Sequence, residues 1–160
     1  MNILLFIGRI AFALIFILSG AQKLMDVAGT ASMIAGKVTI AWLPAAVVAQ
    51  LQAIGTQLET ASGMTVPQLL AIASGVIELV GGLLIAVNIG TRFAALLLIV
   101  FTAAATFYFH DFWNMAGDVK TDNIVHALKN LSIMGALLIL FVLGPWRPAA
   151  GVTDPSAPRY

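Results

Sequence analysis

Four apolar segments constrain this chain more than any other feature of its sequence. They lie at about residues 3–25, 67–88, 91–113 and 123–144. A helix of about 20 apolar residues crosses the hydrocarbon layer of a bilayer, and a helix satisfies its own backbone hydrogen bonds where water is absent. The sequence therefore predicts an all-α membrane protein, a four-transmembrane-helix bundle that forms a single domain over residues 1–146.

Composition agrees with this fold and excludes several kinds of chemistry. Of the 160 residues, 61% are hydrophobic and 9% are charged, whereas roughly 25% are charged in soluble domains. The net charge is +1 and no basic run exists, so we expect no nucleic-acid partner. The absence of cysteine excludes disulfides, iron–sulfur clusters, thiolate metal sites and the cysteine relay that other small four-helix membrane oxidoreductases use.

The first segment, "MNILLFIGRIAFALIFILSGAQKL", shares one feature with a secretory signal, because Ser19 and Ala21 are typical of a cleavage site. However, no positive charge precedes its apolar run, and Arg9 interrupts that run. We therefore expect a span that is retained.

The connections between the spans differ in length. Spans two and three are separated only by the residues around Gly90, which predicts a tight antiparallel hairpin. The polar link at 114–122 offers Thr121 or Asp122 as a cap for the last span. We expect the proline-rich tail, residues 147–160, to be extended or disordered.

The long first connection, residues 26–66, contains an amphipathic pattern. Apolar residues recur there at helical spacing: Leu43, Val47, Leu51, Ile54 and Leu58. This pattern predicts an additional helix at about 43–59, either at the membrane surface or packed on the spans.

The basic residues give a weak indication of orientation. The end that holds both termini carries Arg9, Arg92, Arg147 and Arg159, and the opposite end carries Lys23, Lys37, Lys120 and Lys129. Lys23 and Lys129 fall inside span ends, so the terminal end is richer in loop and flanking charge. We therefore expect both termini to be cytoplasmic.

Charged residues inside spans are the strongest functional candidates, because a charge in the hydrocarbon layer is costly. In span two, Glu78 shares a face with small residues that permit close helix packing: Ala71, Ser74, Gly75, Gly81 and Gly82. In span one, the two cations lie on one stripe: Arg9, Ala13, Phe16, Gly20 and Lys23. We expect Glu78 to be buried between helices, where it requires a cation or a proton.

Two interpretations of these charges stay open. In the first, Arg9 and Lys129 approach Glu78 from opposite leaflets, and the uneven charge attracts an anion or a polar ligand. In the second, the same groups form a structural ion network that fixes the register of the helices.

His110 and His126 lie at matched depth on spans three and four. Two such histidines can bind haem iron axially, or a metal ion together with Asp111, but nothing else in the sequence marks either site. Hydrogen bonds to interfacial carbonyls or water are the preferred interpretation, so we predict no metal site and no intrinsic cofactor.

Lys129 and Asn130 share one helical arc with His126, and all three side chains suit the carbonyl oxygens of a quinone as donors. The predicted interior polar site comprises Arg9, Lys23, Glu78, His110, His126, Lys129 and Asn130.

A series of short motifs resembles the DoxX family of small four-helix bacterial membrane proteins, in the right order over nearly the whole chain. The motifs are an arginine early in span one, "SGAQKL" at its end, "IELVGGLLI" in span two, "FHDFW" after span three and "LKNLSIMGALLIL" in span four. The resemblance implies matched polar positions at Arg9, Lys23, Glu78, His110, Lys129 and Asn130. The first connection departs from it, being longer than the family's usual loop by about a helix.

The resemblance also implies a multi-pass protein of the bacterial inner membrane. Relatives include the membrane subunit of a thiosulfate:quinone oxidoreductase and proteins of redox-stress complexes. Our leading hypothesis is a subunit or accessory protein of a redox membrane complex, not catalytic alone, that binds quinone or lipid in its polar interior beside other membrane subunits. The alternatives are a purely structural or assembly protein without ligand, and a proton or small-solute transporter in which Glu78 titrates.

Overall fold

The computed structural model describes residues 3–144, and every regular element in that range is helical. The elements are α1 (Ile3–Met25), α2 (Val27–Lys37), α3 (Ala45–Ser62), α4 (Val66–Ala86), α5 (Thr91–Phe109), a short 3-10 helix (Phe112–Asn114) and α6 (Gly117–Leu143). The predicted tail, 147–160, lies outside the described residues.

Four of these helices are long and apolar enough to cross a membrane: α1, α4, α5 with the 3-10 helix, and α6. The predicted all-α membrane fold is confirmed. The first three predicted spans also agree closely with the observed helices, because apolar runs of this length end where polar residues begin.

The start of the last span was predicted wrongly. α6 begins at Gly117, with Ala116 as its N-cap, so Thr121 and Asp122 lie inside the helix and cap nothing. The segment that follows Gly117 is polar but contains no residue that breaks a helix, so the helix extends beyond the apolar run.

The first connection contains two helices, whereas the sequence predicted one. The predicted helix at 43–59 is observed as α3, Ala45–Ser62. The additional helix, α2, follows α1 after a single residue, Asp26, whose side chain accepts a hydrogen bond from the Gly29 backbone N–H at 2.9 Å. The sequence of α2, "VAGTASMIAGK", has too weak an apolar period to reveal it, and tertiary packing against α4 through Ala31, Ile34 and Ala71 stabilises it.

The spans pack in the order α1, α4, α5, α6, each against the next, and α2 packs on α4. The core is built mainly from small and branched residues: Ala13, Phe16, Ile85, Ala86, Ala94, Ala95, Leu98 and Leu137. Small residues let helix backbones approach closely, and in lipid this close packing replaces the hydrophobic driving force.

The turn between α4 and α5 is as tight as predicted. Asn88 (φ 59°) and Gly90 (φ 56°) both adopt the left-handed conformation there. This antiparallel hairpin places the start of α4 and the end of α5 at the same end of the bundle. We call this the α2–α3 end, because the first connection also lies there.

Candidate functional site

The site is built on a close approach of α1 and α4. A Cβ atom added at Gly20 would lie 2.5 Å from the backbone N of Leu79 and 2.6 Å from the backbone O of Gly75. Gly75 is confined in the same way by Leu24 and by the backbone O of Gly20. Only glycine permits this spacing, so the two helices meet backbone to backbone one turn from Glu78.

Glu78 is buried at this crossing, with 6% of its surface exposed. Lys23 Nζ lies 2.5 Å from Glu78 Oε2 and forms an ion pair with it. Ser19 Oγ lies 3.1 Å from Oε1 and donates to the carboxylate, while Lys23 also donates to Ser19 Oγ at 2.6 Å. Because Ser19 and Lys23 are one turn apart on α1, both reach the same carboxylate.

The structure corrects the predicted partners of Glu78. Arg9 lies farther along the bundle, where its Nη1 is 3.4 Å from both the Ile85 backbone O and Thr91 Oγ1. Lys129 is exposed and makes no ion pair or hydrogen bond with any residue in 3–144. α6 packs mainly on α5 and has little contact with α4, so its lysine lies away from the carboxylate.

The ion pair borders a cavity of about 470 Å³ between α2, α4 and α5. Most of its wall is apolar, with Met33, Ile34, Leu70, Ile77 and Phe101 among the lining residues. Its polar lining residues are Lys23, Glu78, Thr30, Ser74, Tyr108 and His110. A mostly apolar cavity with a few convergent polar groups is the usual form of a small-molecule site, and its volume lies in the usual range of about 300–1,000 Å³.

The predicted site residues therefore separate into three places. Lys23, Glu78 and His110 line the cavity. Arg9 belongs to the opposite end of the bundle, near the α4–α5 turn. His126, Lys129 and Asn130 lie on α6, outside the cavity, so they do not form one wall of a single interior site.

The two histidines lie at matched depth at the α2–α3 end, where they contact each other. Their rings stack at a centroid distance of 5.0 Å, with planes 11° apart, and His110 Nδ1 lies 3.0 Å from Asn123 Oδ1. Nearby, Asn130 Nδ2 donates to Thr106 Oγ1 at 2.9 Å. These contacts fix the register of α5 and α6.

This stacked geometry does not suit axial ligation of haem, since nitrogens of both rings would have to point at one iron between them. The alternative metal site of His110, His126 and Asp111 is not assembled either: within residues 3–144, no group of three or more histidine or acidic side chains is placed to hold a metal ion.

Sequence reasoning missed two contributors to the site. Ser19 has a recognisable signal, because a hydroxyl one turn before a lysine shares its helical face. The α2 wall, including Thr30 and Ile34, has none, because α2 itself was not predicted.

Together, the fold and the site define a multi-pass α-helical membrane protein with a buried charge pair beside an apolar cavity. Residues 4–111 match the DoxX family, so the chain belongs to that family and the resemblance found in its sequence is confirmed. The match ends before α6, and therefore before His126, Lys129 and Asn130.

The chain is also similar to a curated protein, the inner membrane protein YphA of Escherichia coli (strain K12). The two are 33% identical over 143 residues, which cover 89% of this chain and 84% of YphA. This similarity and the four spans support a multi-pass location in the inner membrane. No solved structure matches the chain.

Proposed function

We propose that this protein binds a quinone in the cavity between α2, α4 and α5, as an accessory subunit of a redox complex in the inner membrane. The observation that carries the proposal is the Lys23–Glu78 pair, which is placed at the wall of an otherwise apolar cavity. A quinone has the matching chemistry: an apolar tail and ring, and carbonyl oxygens that accept hydrogen bonds.

The donors in this proposal differ from those that the sequence indicated. Lys23, Tyr108 and His110 line the cavity, whereas His126 and Lys129 do not. Lys23 keeps 27% of its side chain exposed while it is paired with Glu78. It therefore offers an ammonium N–H to a ligand without giving up the carboxylate.

Binding alone transfers no electrons, and the chain has no cysteine for an iron–sulfur cluster or a dithiol. We therefore assign the electrons to a partner subunit, and assign to this chain the binding and orientation of the quinone.

The test is quinone extraction from protein purified in mild detergent, with two variants on α5. Ala105 lines the cavity and Ala103, two residues earlier, does not. We expect the unmodified protein and the Ala103→Phe control to retain ubiquinone or menaquinone, and Ala105→Phe to lose most of it, because the ring fills the cavity. Size-exclusion profiles and helical content of all three proteins should agree.

Other outcomes would replace the proposal. If the folded protein contains no quinone and binds none after reconstitution in nanodiscs, it is not a quinone-binding protein. Phospholipid retained in the same cavity, and displaced by Ala105→Phe, would identify a lipid site instead. Equal quinone in both variants would place the quinone elsewhere in the bundle.

The structural alternative also has an observation in its favour. Glu78 already accepts hydrogen bonds from both Ser19 and Lys23, so the pair satisfies itself without any ligand. Under this alternative, neither Ala103→Phe nor Ala105→Phe changes the content of quinone or lipid in the purified protein.

A further inference from the structure

Helix α3 has an apolar stripe that nothing in the described chain covers. Its residues are Val47, Leu51, Ile54 and Leu58, which are between 38% and 52% exposed. At about 100° per residue these four side chains fall within a sector of about 60°. No residue of α3 is buried, so the stripe remains available for an external contact.

The side of α3 that faces the protein is a different one. Val48 and Gly55, about 70–90° around the helix from the centre of the stripe, are partly buried. A Cβ atom at Gly55 would lie 3.1 Å from Val66 Cγ2 at the start of α4. Packing on α4 therefore fixes how α3 is rotated and leaves the stripe about a quarter turn around the helix from the side that packs on the spans.

Both ends of α3 are tied to the α2–α3 end of the bundle. Before the helix, the Trp42 ring packs edge to face on Phe107 of α5, with centroids 5.9 Å apart. In its last turn, Glu59 Oε1 accepts a hydrogen bond from the Val66 backbone N–H at 2.8 Å. Phe107 and Val66 lie near the ends of helices that are long and apolar enough to cross a membrane, where we expect the bilayer to meet water.

The residues around these anchors agree with that depth. Trp42, Phe107, Tyr108, Phe112 and Trp113 form a chain of aromatic contacts there, and tryptophan and tyrosine are enriched at membrane interfaces. α3 carries a single charged side chain, Glu59, which is already bonded. The exposed residues of its stripe are large and apolar, as are many exposed residues of the spans.

We propose that α3 lies in the plane of the membrane interface and that its stripe inserts into the lipid at the boundary between head groups and acyl chains. Such insertion typically reaches about 5–10 Å into that boundary. Because α3 has no lysine or arginine, no attraction between basic side chains and lipid head groups adds to the apolar contact of the stripe with lipid. The insertion should therefore not depend on anionic lipid.

The absence of cysteine makes a direct test available, since single cysteines can be introduced into the full chain without a background. Leu51→Cys and Ile54→Cys lie on the stripe, and Ala49→Cys and Ala53→Cys are exposed controls away from it. Each variant carries an NBD fluorophore and is reconstituted in vesicles of phosphatidylcholine, with or without phosphatidylglycerol.

We expect nitroxide on the lipid acyl chains to quench NBD at positions 51 and 54, and aqueous iodide to quench it at positions 49 and 53. The pattern should be the same in both lipid compositions. Iodide quenching at all four positions would overturn the proposal, since the stripe would then face water. Protection from both quenchers at 51 and 54 would also overturn it, because a protein partner or a second copy would then cover the stripe.

A second measurement uses the same cysteines without the fluorophore, in case the label disturbs α3. A charged, membrane-impermeant thiol reagent should modify positions 51 and 54 several-fold more slowly than 49 and 53 in vesicles. This difference should largely disappear when the vesicles are dissolved in a detergent and α3 is released by a denaturant. Equal rates in intact vesicles would contradict the insertion of α3.

Discussion

Glu78 lies near the middle of α4, where a carboxylate without a partner is costly. Its two partners, Ser19 and Lys23, both come from α1. Glu78 is almost fully buried, whereas Lys23 keeps 27% of its side chain exposed. The two members of the pair therefore differ in what their removal leaves. Removing the lysine leaves a buried charge without a partner, and removing the carboxylate leaves a lysine that still reaches the cavity.

This inequality gives a prediction for the free energy of unfolding. Lys23→Met should destabilise the protein by about 3 kcal/mol, because it leaves the carboxylate buried and unpaired. Glu78→Gln should cost less, about 1 kcal/mol, because the amide oxygen still accepts from Ser19.

The double variant K23M/E78Q completes a thermodynamic cycle, which is measured by denaturation in detergent. It should be more stable than the sum of the single effects predicts, because no charge is then left unpaired. Strict additivity of the two single effects would show that the ion pair contributes nothing to folding.

At the scale of elements, the site depends on the crossing of α1 and α4. Glycines at 20 and 75 bring the two backbones together, and this spacing lets the short side chain of Ser19 reach Glu78. α2 then closes one side of the cavity, and it is held by its Asp26 cap and by an ion pair between Lys37 and Asp111 at 3.8 Å.

Gly20→Ala should therefore separate α1 from α4 and destabilise the protein by about 1–3 kcal/mol, the usual cost of overpacking. Gly8→Ala, in the same helix, has nothing within 4 Å of the added Cβ and should be neutral or slightly stabilising. Thermal unfolding in detergent compares the two variants. Equal unfolding temperatures for the two variants would show that α1 and α4 are not in close contact at Gly20.

For the whole molecule, the arrangement of basic residues bears on orientation in the membrane. Two of the four lysines of the α2–α3 end are occupied in ion pairs, Lys23 with Glu78 and Lys37 with Asp111. At the opposite end, Arg92 binds the carbonyl oxygens of Val142 and Gly144 at the end of α6. We expect that arginine-bearing end to be cytoplasmic.

Single cysteines at exposed positions of the two ends test this orientation. Ile89→Cys lies in the α4–α5 turn and Ala116→Cys lies before α6. In right-side-out vesicles, an impermeant maleimide should label Ala116→Cys and spare Ile89→Cys, and inverted vesicles should give the reverse. The opposite pattern would place both ends the other way round.

The sequence by itself determined the elements that lipid dictates. A span needs a long apolar run, and a buried charge needs small neighbours that admit a partner helix, so α1, α4, α5 and the burial of Glu78 follow from local pattern. The extra helix α3 follows from its apolar period. Each of these features depends on residues close together in the chain.

Only the tertiary structure decided which residues meet. The sequence indicated Arg9 and Lys129 as the partners of Glu78, with Lys23 on the same stripe as Arg9. The choice of Lys23 depended on the Gly20–Gly75 crossing and on the packing of α6 mainly against α5. The cavity could not be predicted from the sequence either, because one of its walls is α2, a helix stabilised by its contacts with α4 rather than by its own sequence. The depth of a residue along a span follows from its position in the sequence, whereas the helices that become its neighbours are set by the packing of the whole bundle.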